Sequence, residues 1–138
     1  MPSKTEKDYS GTPLFKKLGI KPDSWVAILN APDGFLDDFE LPPGVERLAR
    51  PAKGLDVAVL FATRLKDLRS SFAPLAEAVF PAGGLWIAYP KKSSAVPTNL
   101  NFDNVQQVGL DGGLVDNKSC AIDDDYSGLR FVYRLTDR

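Results

Sequence analysis

The chain predicts one α/β domain over residues 12–138: three layers around a mainly parallel sheet of about six strands, closed by an antiparallel C-terminal hairpin. Three observations carry this. Residues 25–30, 55–61 and 85–89 are dominated by apolar side chains, as in strands covered on both faces. Between and after them, apolar residues recur every third or fourth position, the helical spacing. Two further strand-like runs, at 114–122 and 129–135, flank the turn-forming stretch Asp123-Asp-Asp-Tyr-Ser-Gly128.

The elements follow in order. Residues 1–11 are polar and read as a flexible segment. Thr12 and Pro13 suit the cap and first turn of a short helix. Gly19 suits its left-handed stop, with Ile20 packing back and Leu14, Phe15 and Leu18 turned to the body. The first strand, 25–30, ends at the breaker Ala31-Pro-Asp-Gly-Phe35, and residues 35–41 leave room for one helical turn. Residues 45–50 form a weak, charged strand suited to an edge. After the strand 55–61, Leu65, Leu68, Phe72, Leu75 and Val79 mark one helical face, which Pro74 is expected to kink or split. The strand 85–89 leads through a loop to a helix capped at Asn101, with Leu100 and Val105 as its apolar staple and Val105, Val108 and Leu110 facing the core. Numbered by position, the six strands are expected in the order 2-1-3-4-6-5. The first and third then lie side by side, with crossovers that leave in opposite directions and open a crevice above Asn30 and Phe61.

Composition narrows the chemistry. The chain has no histidine, which removes Ser-His-Asp and Cys-His catalysis and histidine metal sites. Cys120 is the only cysteine, so it forms no internal disulfide and reads as a small buried hydrophobe. The net charge of −1 gives no field for nucleic acid. No apolar run approaches the roughly 20 residues of a membrane span, and no signal core is seen, so a cytoplasmic location is expected.

The best candidate ligand groups stand where the crevice is expected. Lys91, Lys92, Ser93 and Ser94 follow the third apolar strand directly, offering point charges and hydroxyls to an anionic or polar ligand. The bland reading is a solvated loop whose serines cap local turns. Asn30 and Thr63 stand at the ends of the first and third strands, and Asp33 follows closely. Asp123, Asp124 and Asp125 read as a solvated loop, without calcium-loop spacing. Trp25, Trp86, Phe61 and Tyr89 are expected in the core. Tyr126 and Arg130 could instead face a partner.

The hairpin-ended strand order resembles the class I methyltransferase fold, a Rossmann-like scaffold, in reduced form. The residues that carry this are Asp56-Val-Ala-Val-Leu-Phe61, the turn Phe80-Pro-Ala-Gly-Gly84 and the final hairpin. From Thr12 onward the chain also resembles a family of small bacterial proteins of unknown function. It does so in Thr12-Pro-Leu-Phe-Lys-Lys-Leu-Gly-Ile20, Leu29-Asn-Ala-Pro32, Tyr89-Pro-Lys-Lys-Ser-Ser94, Gly113-Leu-Val-Asp116 and Ser127-Gly-Leu-Arg-Phe-Val132. The methyltransferase resemblance implies a glycine-rich turn after the first strand and an acidic end to the second. Here those places hold Asn30-Ala-Pro-Asp-Gly34 and Arg50. The expectation is therefore a non-catalytic domain that binds a small anionic or polar ligand, or a protein, with no cofactor, no metal and no assigned catalytic residue. The alternatives are a small S-adenosylmethionine-dependent methyltransferase with an altered pocket, and a homodimerising module without a ligand.

Overall fold

A computed structural model describes residues 12–138; the segment 1–11 expected to be flexible lies outside the described residues. Six strands form one sheet: β1 (Trp25–Leu29), β2 (Glu46–Leu48), β3 (Val57–Phe61), β4 (Gly84–Pro90), β5 (Val115–Ala121) and β6 (Tyr126–Val132). The spatial order is β2-β1-β3-β4-β6-β5, the expected one. β2, β1, β3 and β4 are mutually parallel, and β6 runs antiparallel to β4 and β5.

Strand alternation divides the core in two. On one face Ala58, Leu60, Leu85, Ile87, Leu129 and Phe131 pack under α2 (Leu65–Val79) and α3 (Phe102–Asp111). On the other, Val26, Ile28, Val59, Phe61 and Trp86 are covered by α1 (Leu14–Lys17), by Leu18 and Ile20, and by the partly buried Phe35, Phe39 and Leu41. That second layer is thin: one four-residue helix and one turn of 3-10 helix, Leu36–Asp38. The indole N–H of Trp86 donates to the carbonyl of Leu18 at 2.9 Å, which ties this layer to the sheet.

Several local expectations are corrected. Pro13, not Thr12, stands at the N-cap of α1 and makes no side-chain cap; Gly19 does take the left-handed stop, with φ 81°. α2 is one continuous helix, with Pro74 exposed inside it. Packing of Leu68, Phe72, Leu75 and Val79 outweighs one missing backbone donor. Leu110 points outward at 40% exposure, and so does Trp25 at 45%. Leu110 is off the line of Val105 and Val108, and Trp25 only opens its strand. The final hairpin turns earlier than expected, and β6 begins at Tyr126. The Asp123 carboxylate accepts the amides of Asp125 and Tyr126, at 2.9 and 2.8 Å, and closes the turn. Gly128 then lies within β6, where a Cβ would press on Ile122 and Trp86. α3 has the expected cap: Asn101 and Asn104 each accept the other's amide at 2.9 Å.

Candidate functional site

The chain divides at β1 and β3. From β1 it runs outward to β2, and from β3 it runs the other way to β4. Ligands of open α/β sheets lie beyond the carboxyl ends of strands at such a point. Here Asn30 leaves β1 with φ 61°. Asparagine enters this left-handed region more readily than other residues with a side chain, and the chain turns sharply there without a glycine.

Beside this turn lies a cleft of about 240 Å³, lined by Asn30, Phe61, Thr63, Asp67, Ser71 and Tyr126 together with Leu60 and Ala62. Among the described residues, none of the side chains of Asn30, Thr63, Asp67 and Ser71 has a hydrogen-bond partner in the protein. The scaffold around them is fixed. The Asn99 carboxamide accepts the amide of Leu65 at 2.8 Å and so caps α2 from the neighbouring loop. Thr98 donates its hydroxyl to the carbonyl of Thr63 at 2.6 Å.

A larger hollow of about 850 Å³ lies on the other face and shares Tyr126 with the cleft. Its rings are Phe15, Phe35, Phe39 and Tyr126. Phe35 meets Phe61 edge-on at 4.9 Å, and Phe61 meets Tyr126 at 5.1 Å. Its charges are all negative: Asp33, Asp37, Glu40, Asp123 and Asp125. Burial first, then the carboxylates of Asp123 and Asp125, push the Tyr126 phenol above its usual range. A third hollow, about 340 Å³, opens at the amino ends of the parallel strands, with Lys17, Lys21, Lys118 and Arg130 on its walls beside Asp56. Burial, and then Arg138, lower the Arg130 guanidinium from its ordinary value.

The expected site residues separate. Asn30 and Thr63 share the cleft, while Asp33 faces the larger hollow. Lys91, Lys92, Ser93 and Ser94 line neither. They follow β4, two strands from β1, and fold against the hairpin. The amide of Lys91 donates to the carbonyl of Asp125 at 2.8 Å, and the Ser94 hydroxyl donates to its carboxylate at 3.0 Å. The sequence reading missed Asp67 and Ser71. Their spacing of four puts them on one face of α2, a signal available in the chain itself.

No family model matches the chain, and no curated protein does either. Solved structures do match. A SAM-dependent methyltransferase from Aquifex aeolicus superposes with a TM-score of 0.57 at 12% identity, over 86% of each chain. Magnesium protoporphyrin IX methyltransferase from Synechocystis, with bound SAH, gives 0.55 at 8% identity, over 82% of this chain and 75% of that one. An O-methyltransferase of neocarzinostatin biosynthesis, in complex with SAH, gives 0.60 at 12% identity, over 92% of this chain and 54% of that one. The fold is therefore that of the methyltransferase-type Rossmann-like domains. The expectation of no cofactor is overturned by these neighbours, since the Synechocystis enzyme was crystallised with both SAH and SAM. The physical reason lies at Asn30. Its left-handed backbone makes a turn at the place where the resemblance implies a glycine-rich one.

Proposed function

We propose that this chain is a small S-adenosylmethionine-binding protein of methyltransferase type, with its cofactor site at the cleft over β1 and β3. The observation that carries the reading is the cleft itself: four polar side chains without protein partners, gathered where β1 and β3 part.

The residues present fit such a group, in an altered form. Asn30 turns the chain away from the strand end and offers a carboxamide. Asp67 supplies the carboxylate that the end of β2 lacks, because β2 ends at Leu48 and is followed by Arg50. A carboxylate there would accept from hydroxyl or ammonium groups of the ligand. Thr63 and Ser71 add hydroxyls, and Phe61 and Tyr126 add ring surface that excludes water. When bound, the cofactor supplies an activated methyl group on a sulfonium. The protein's part is to hold and orient it and to keep the sheet edge dry.

Calorimetry with SAH and with SAM on the full chain tests this. At one hundred times its dissociation constant, either ligand adds about 2.7 kcal/mol to stability. Asp67→Ala removes a charged hydrogen-bond partner and weakens binding by about tenfold or more. Absence of heat and of stabilisation with both ligands would falsify the reading.

A further inference from the structure

The larger hollow has a charge and ring pattern of its own. Asp33, Asp37 and Glu40 are exposed along the loop after β1, and their carboxylates have no protein partner among the described residues. Asp123 and Asp125 stand opposite, one holding the hairpin turn and the other accepting from Ser94. Among the described residues, no lysine or arginine lines the hollow. A second, independent feature points to a ligand. Tyr126 is only 8% exposed and lines the hollow, and its hydroxyl has no hydrogen-bond partner among the described residues.

From this geometry we infer that the hollow binds a small organic ammonium ion, seated among Phe15, Phe35, Phe39 and Tyr126 with Asp33, Asp37 and Glu40 at its mouth. Aromatic ring faces attract such cations, and carboxylates add to the attraction. A hard metal ion would want a shell of oxygen ligands instead of rings. The inference concerns binding alone and stands apart from the proposed function.

The test is amide chemical-shift mapping on the full chain with choline, and with its neutral isostere 3,3-dimethylbutan-1-ol. Choline is expected to saturate shifts in residues 33–40 and 123–126, and to bind roughly fivefold or more tightly than the alcohol. Raised salt should weaken choline and leave the alcohol unchanged. Asp33→Asn combined with Asp37→Asn should weaken choline and spare the thermal midpoint, both side chains being exposed. Equal binding of the two probes, no saturable shift, or shifts elsewhere in the chain would overturn the inference. SAH is titrated separately. SAH binding without choline binding defeats this inference alone, and choline binding without SAH binding defeats the proposed cofactor alone.

Discussion

Asn30 takes a backbone conformation that most side chains resist, and the cleft opens beside it. A β-branched residue there is strained. Asn30→Val is expected to lose about 1–2 kcal/mol in urea denaturation, and Asn30→Gly to stay close to the parent. Tyrosine titration gives a second expectation. Burial raises Tyr89, and raises Tyr126 and Tyr133 with help from Asp123, Asp125 and Glu77. Each folded-state value then lies above the unfolded one. The stability these phenols contribute is complete below the ordinary phenol value of 10.0 and is lost as pH rises through the higher folded values. Alkaline titration should show tyrosinate appearing together with unfolding. Asn30 and Thr63, expected at one crevice from their places after apolar strands, do share the cleft, whereas Asp33 faces the other hollow. Tyr126 was not legible as part of the site, because the hairpin turn was expected to run on to Gly128.

The elements were legible where burial is one-sided or complete. β3 is buried throughout and reads as an unbroken apolar run. The register of β6 depended on a carboxylate closing a turn, which composition does not reveal. α2 is not split at Pro74, for a related reason: the strength of its packing is not written in the local sequence. Pro74 is exposed and interior to the helix. Pro74→Ala should restore a helical donor and stabilise the protein by about 1–3 kcal/mol. Asn99 belongs to the loop after β4 yet caps α2. Asn99→Ala should cost about 1 kcal/mol and, by loosening the α2 start beside Thr63, should also weaken any ligand held in the cleft.

At the scale of the molecule, the sheet is thick on one side and thin on the other. α2 and α3 cover one face, whereas short segments cover the face that bears the acidic hollow. The hollow and the cleft meet at Tyr126. The basic hollow of Lys21, Lys118 and Arg130 lies at the opposite end of the parallel strands. The strand order was legible because short connections and right-handed crossovers leave few arrangements of these elements. The cavities were not, since they depend on which side chains are left without partners once the layers close. The most direct measurement is amide chemical-shift mapping with SAH. Saturating shifts centred on Asn30, Thr63, Asp67 and Ser71 are the predicted result. Shifts confined to the basic hollow, or none at all, would contradict the account.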